Sequence, residues 1–236
     1  MKMITLIRHA KTETYSPKGT DFDRRLNKRG REEARLIADF FSKKDLKNAL
    51  FISSPAKRAL QTAQLLAEEL KYPTEQIQIE NDIYHDPAYE NLLQLIHHAP
   101  AQTDRLFLFG HNPSISGLAD YLVGNYHPAL PPAGVVSIGA GDSWRSFQPG
   151  NGQILYLDFP MKHKDYSDIE AEIHSEITQD LMHNMRLTFE KYADLSSPKM
   201  AAALYDHAKA ITDRYLKSVP NWYKLRIRQK ELQRKS

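Results

Sequence analysis

The 236-residue chain has no cysteine, which excludes both a disulfide framework and a thiolate metal site. It also lacks any run close to the roughly 18 consecutive apolar residues of a membrane span. The N-terminus, Met1-Lys2-Met3-Ile4-Thr5, runs straight into an apolar strand pattern, without the apolar core and small-residue cleavage site of a secretory signal. A cytoplasmic protein is therefore expected. Internal repeats and low-complexity segments are missing too. What is present, 41% hydrophobic and 26% charged residues, suits one globular α/β domain with an appendage.

The net charge of +3 hides an asymmetry. Residues 217–236 hold seven Lys/Arg and one Glu, a balance of +6, so the rest of the chain stands at −3. The basic pI near 8.9 belongs to the tail and does not mark the whole chain as a nucleic-acid binder.

Short apolar runs alternate with helical patterns through the first 160 residues. Strands are expected at Met3–Arg8, Ala49–Ser53, Ile77–Ile79, Arg105–Phe109, Val135–Ile138 and Ile154–Leu157. Helical faces appear over Lys28–Ser42 (Ala34, Ile37, Ala38, Phe41) and Ala56–Leu70 (Ala59, Ala63, Leu66). Others follow at Glu90–Ile96 and around Ile115, Leu118, Ala119 and Leu122. This alternation predicts a three-layer α/β/α domain over residues 1–160, with a mostly parallel sheet covered on both faces.

Beyond Pro160 the pattern becomes helical only. Ser167-Asp168-Ile169-Glu170 has capping-box form, and Ile169, Ile173, Ile177, Leu181 and Met185 follow at a spacing of four. Ser197-Pro198 opens a second stripe of Met200, Leu204, Ala208, Ile211 and Tyr215. Residues 161–217 thus read as a helical hairpin extension and 218–236 as a basic tail. Packing of the hairpin against its own core is the first expectation, and partner contact through these helices or the tail the second.

Three strands end in polar or cationic residues: Leu6-Ile7-Arg8-His9-Ala10, Phe51-Ile52-Ser53-Ser54-Pro55-Ala56-Lys57-Arg58 and Leu108-Phe109-Gly110-His111-Asn112-Pro113. In open α/β sheets, ligands collect beyond the carboxyl ends of strands. If these three strands are neighbours, Arg8, His9, Arg58 and His111 converge there. Two guanidiniums and two imidazoles make a site for a dianion, with phosphoryl the obvious candidate. An imidazole nitrogen can attack phosphorus and form a phosphohistidine that water then hydrolyses. Arg8 and Arg58 are expected to keep His9 neutral and to hold the equatorial oxygens. That much fixed positive charge calls for neither metal nor other cofactor.

These blocks carry a resemblance. Arg8-His9-Ala10 resembles the R-H-G/A signature of the histidine phosphatase superfamily, and Ser53-Ser54-Pro55-Ala56-Lys57-Arg58-Ala59-Leu60-Gln61-Thr62-Ala63 resembles its S-S-P-x-x-R-x-x-Q-T-A block. Gly110-His111-Asn112-Pro113 resembles the second-histidine loop. Ala10, the Asp21-Phe22-Asp23-Arg24-Arg25-Leu26 segment with Gly30, and the G-H-N-P form look most like SixA-type phosphohistidine phosphatases. The resemblance spans residues 3 to 158 and implies a phosphoryl acceptor at His9, with Arg8, Arg58 and His111 binding phosphate. It also implies a departure. Tyr84 stands where mutase-like and small-molecule phosphatase members carry a glutamate, and Asn112 follows His111 where the phytase and acid-phosphatase branch has an aspartate.

An obvious general acid is thereby missing, with Glu80, Asp82, Asp21 and Asp23 as substitutes. Alkoxide leaving groups need a proton supplied, whereas a phosphoramidate nitrogen can be protonated beforehand. The expected activity is thus a metal-independent phosphatase working through phosphohistidine on His9, acting on phosphohistidine in a protein. The alternatives are a small-molecule phosphomonoesterase acting on a phosphorylated metabolite and a non-catalytic phosphoprotein-binding module. The last would have no need of the His9–His111 pair. His97-His98 reads as a solvated helix end, and His163, His174, His183 and His207 as surface residues.

Overall fold

The computed structural model divides the chain into two units, Met1–His163 and Lys164–Ser236. The described residues are 1–16, 19–42, 46–85, 89–124, 129–160 and Asp206. The expected hairpin and basic tail, with His163, His174, His183 and His207, lie outside them.

Six strands form one sheet: β1 (Met3–Arg8), β2 (Ala49–Ser53), β3 (Gln78–Ile79), β4 (Arg105–Gly110), β5 (Val135–Gly139) and β6 (Gln153–Asp158). Their order is β3-β2-β4-β1-β5-β6. The first four in that order are mutually parallel, and β5 runs antiparallel to both of its neighbours. The sheet is mixed, mostly parallel. The reversal of β5 has a chain-path cause. After β4 the chain enters α5 (Ser114–Val123), and it rejoins the sheet at the carboxyl end of β1, where Val135 pairs with Ile7. A buried apolar run such as Val135-Val136-Ser137-Ile138 reads the same in either direction, so pattern alone cannot reveal it.

Period-two alternation sorts the strand residues onto two faces. Ile4, Leu6, Ile52, Leu106, Leu108, Val136 and Ile138 pack in one layer with Leu92, Leu93 and Ile96 of α4 (Glu90–His97) and Ile115, Leu118 and Leu122 of α5. Ile7, Phe51, Phe107, Phe109 and Val135 face the other way. They meet Ala34, Ile37, Ala38 and Phe41 of α1 (Lys28–Ser42), and Ala63, Leu66 and Ala67 of α2 (Lys57–Glu69). The second layer is aromatic at its centre, where Phe107 lies 4.6 Å from Phe51 and 5.3 Å from Phe41 between ring centroids. One further short helix, α3 (Asp82–His85), follows β3.

The start of α1 is seated directly on the chain that leaves β1. Asn27 accepts the Gly30 N–H on Oδ1 at 2.8 Å and donates from Nδ2 to the Thr12 carbonyl at 3.1 Å, while its N–H reaches the Lys11 carbonyl. Gly30 is forced by this contact, since a Cβ there would sit 1.9 Å from the Lys11 carbonyl oxygen. Gly30→Ala is expected to displace α1 and cost about 1–3 kcal/mol. Phe107→Ala, which opens a cavity in the aromatic layer, is expected to cost about 3–5 kcal/mol. Urea denaturation of the two variants against the parent measures both.

Candidate active site

Strand register brings the three polar strand ends together. Arg8 is level with Gly110, and Ser53 with Phe109. The ladder continues one residue further, with the His9 N–H donating to the Gly110 carbonyl and the Ser54 N–H to the Phe109 carbonyl, both at 3.0 Å. His9, Ser54 and His111 therefore leave the sheet side by side. Arg58 follows in the first turn of α2 and is buried. All four expected residues, Arg8, His9, Arg58 and His111, meet at this end of the sheet. The His9 and His111 ring centroids are 5.1 Å apart.

His9 is oriented through its own backbone. Its Nδ1 lies 2.9 Å from the Ala10 carbonyl oxygen. A carbonyl can only accept, so Nδ1 carries the proton and the neutral ring keeps its lone pair on Nε2. The Ala10 N–H is in turn held by Thr62 Oγ1 at 3.1 Å, and Thr62 donates to the Arg58 carbonyl. Thus α2 braces the segment that carries His9. His111 Nε2 lies 2.9 Å from Ser54 Oγ. Gly110 leaves room for this arrangement, since a Cβ there would meet Ile83 and Ile115 at 2.9–3.0 Å.

The arginines are held from opposite sides. Arg8 donates from Nη1 to the Leu130 carbonyl at 2.8 Å, and Asn112 Nδ2 reaches the same oxygen at 3.0 Å. Arg58 makes two bonds to Asp21, to its backbone carbonyl at 2.6 Å and to its carboxylate at 2.8 Å. Asp21 also takes Arg24 Nη1 at 2.9 Å, and Arg24 ties back to Thr12 and to the Glu13 carbonyl. Two buried nitrogens, Arg8 Nε and His111 Nδ1, have no hydrogen-bond partner among the described residues. Buried donors without acceptors are costly, and a bound oxyanion would supply what both lack.

Comparison with known families and structures agrees with this geometry. The family model of the histidine phosphatase superfamily (branch 1) matches residues 4–84, which include Arg8, His9 and Arg58. A structure of the protein histidine phosphatase SixA complexed with tungstate superposes with a TM-score of 0.60 at 19% identity, covering 69% of this chain and 99% of that one. The Agrobacterium tumefaciens SixA structure gives 0.54 at 26% identity, covering 66% and 97%. That of SixA from Nakamurella multipartitia gives 0.56 at 17%, covering 67% and 96%. No curated protein matches.

Within this geometry the electrostatics take a definite form. His9 is pushed down to about 3, chiefly by burial; its bond to the Ala10 carbonyl opposes the shift, and His111, Arg58 and Arg8 add to it. His111 is likewise pushed down to about 3, by burial first and then by Arg58, with Asp21 opposing. The sequence pointed to the arginines as what keeps His9 neutral; burial is the larger cause. Burial also pulls Arg8 below its usual range, helped by Arg58. Asp21 sits below the usual carboxylate range: its partial burial would raise it, but the bonds and charges of Arg24 and Arg58 outweigh that.

Several expectations shift in detail. Asp21, a substitute acid by sequence, pairs with Arg24 and also grips Arg58, which lies 37 residues away. Asp23 pairs with Lys57 at 2.5 Å. Tyr84 lies on α3, its ring 5.6 Å from that of His111 and 5.9 Å from the Arg58 guanidinium carbon. The first N–H of α2 is taken by the Phe22 carbonyl. His97 is half-buried and bonded to the Phe147 carbonyl, not merely a solvated helix end. Sequence reasoning passed over Ser54, Thr62 and Leu130. The first two are letters of the block containing Arg58, while a backbone carbonyl such as that of Leu130 leaves no sequence signal.

The depressed histidines make stability depend on pH. In the unfolded chain both imidazoles protonate near 6.5, whereas in the fold they stay neutral down to about 3. Their contribution is fully present above about pH 6.5 and is lost progressively as pH falls toward 3. At pH 5 in phosphate-free buffer, His111→Asn is expected to flatten the fall of unfolding free energy by up to about 1.4 kcal/mol per pH unit. Urea denaturation of both forms between pH 7 and 4.5 measures this.

Proposed function

We propose that the chain is a phosphohistidine phosphatase that works through a covalent phosphoryl intermediate on His9. The observation that carries this reading is a neutral imidazole with a free Nε2, beside two guanidiniums and a second neutral imidazole. In the first step Nε2 attacks phosphorus, the P–Nε2 bond forms, and the bond to the leaving nitrogen breaks. Arg8, Arg58 and His111 neutralise the equatorial oxygens throughout. In the second step water attacks the phosphoryl group, releases phosphate and restores His9.

The nature of the leaving group follows from proton supply. The charged groups that act on His9 and His111 are Arg8, Arg58 and Asp21. Asp21 is held ionised by Arg24 and Arg58, both imidazoles are neutral near pH 7, and guanidiniums do not give up their protons. None of them is poised to protonate an alkoxide. A phosphoimidazole brings its own remedy, because its second ring nitrogen takes a proton from solvent and turns the ring into a neutral leaving group. Tyr84, a phenol beside His111 in place of a carboxyl group, fits the same preference. The SixA bound to tungstate is described as a protein histidine phosphatase, which supports a protein substrate.

The test compares turnover of a phosphohistidine-bearing protein with that of phosphoserine peptides and sugar phosphates. Faster hydrolysis of the N–P substrate is expected, on the order of a hundredfold or more, the usual contribution of a general acid to O–P cleavage. His9→Ala is expected to abolish turnover, and base-quenched parent enzyme to carry label on His9. Activity is expected to survive exhaustive chelation, because the guanidiniums already provide the charge a divalent ion would bring. A preference for sugar phosphates, or label on another residue, would overturn the reading.

A further inference from the structure

We propose that Ser54 is a positioning residue that fixes the tautomer of His111, keeping the proton on Nδ1 so that the neutral ring donates to a phosphoryl oxygen. Ser54 is fully buried and rigidly placed. Its N–H is bonded to the Phe109 carbonyl, and its own carbonyl accepts the Ser53 hydroxyl. Its Oγ has two partners among the described residues, the Ala56 N–H that it accepts at 3.3 Å and His111 Nε2 at 2.9 Å.

The choice of tautomer then follows from satisfying each proton and lone pair. A serine hydroxyl has one proton to donate, and a neutral imidazole has one donor and one acceptor nitrogen. Suppose His111 carried its proton on Nε2. That N–H would donate to Ser54 Oγ, the Ser54 proton would have no acceptor among the described residues, and the lone pair on Nδ1 would also be unused. Two buried groups would be left unsatisfied. With the proton on Nδ1, the Ser54 hydroxyl donates to Nε2 and only the Nδ1–H is left over. One orphan costs less than two. The remaining orphan belongs to the ring that stands beside His9, where a phosphoryl group brings acceptors. The opposite tautomer would present a lone pair to those oxygens and repel them.

His9 shows the same protonation pattern by a different route, through the Ala10 carbonyl. Ser54 would thus act on the reaction only through His111. The phosphate contact rests on the functional reading above, whereas the Ser54–His111 tautomer does not.

The full chain with 15N-labelled histidine distinguishes the two. His111 is assigned by loss of its signals in His111→Asn, and its ring-nitrogen shifts in the ligand-free parent are expected to show a protonated Nδ1 and an unprotonated Nε2. In Ser54→Ala that preference is expected to collapse. Inhibition by orthovanadate is expected to weaken roughly ten- to a hundredfold, the order of one hydrogen bond to a charged group. Ser54→Thr, which restores a hydroxyl, is expected to recover both. A parent His111 protonated on Nε2 overturns the proposal, and this readout needs no variant of Ser54 to fold. Unchanged vanadate inhibition in a folded Ser54→Ala also overturns it. A parent with the Nδ1–H tautomer that binds no vanadate keeps the Ser54–His111 assignment and removes the phosphate-site reading.

Discussion

Two main-chain hydrogen bonds hold the site together: His9 N–H to the Gly110 carbonyl, and Ser54 N–H to the Phe109 carbonyl. They extend the parallel ladders of β1, β4 and β2 one step past the last residues of the strands. Because the register is set by the packing of two apolar faces, a slip by one residue would turn Phe107 and Phe109 out of the aromatic layer. The same slip would separate His9 from His111. Fold stability and site geometry are therefore one constraint. The aromatic layer that makes the register costly to change also makes the placement of the histidines precise.

That constraint was partly legible in the sequence. The helix over Lys28–Ser42 and the strand ends at Arg8 and Ser53 follow from periodicity, and Arg8, His9, Arg58 and His111 from the cationic residues that close each apolar run. The limits were of two kinds. Direction is invisible to a fully buried strand, so the reversal of β5 depended on which end of β1 the chain rejoins. Pairings across long separations carry no pattern either. Asp21 stood in the sequence as a substitute acid, and its hold on Arg58 required α2 to be packed in place. The Ser54–His111 bond spans 57 residues and joins two blocks that looked independent.

Electrostatically the site is a cationic hollow in which both imidazoles and the Asp21 carboxyl group are unprotonated near neutral pH. Burial drives both imidazoles to neutrality, and two guanidiniums hold Asp21 ionised. On the proposed function, Nε2 needs no deprotonation step before attack, and the site holds no internal proton source. Nucleophilicity at His9 and the preference for a self-protonating leaving group would then share one origin in desolvation.

The two histidines differ in how far their proton positions are exposed to heritable change. That of His9 is dictated by the carbonyl of Ala10, and no single replacement at position 10 other than a backbone rearrangement deletes a peptide oxygen. That of His111 hangs on one hydroxyl, which a single codon change can remove. Losing that hydroxyl would release the proton position of His111 while leaving that of His9 where the peptide backbone puts it.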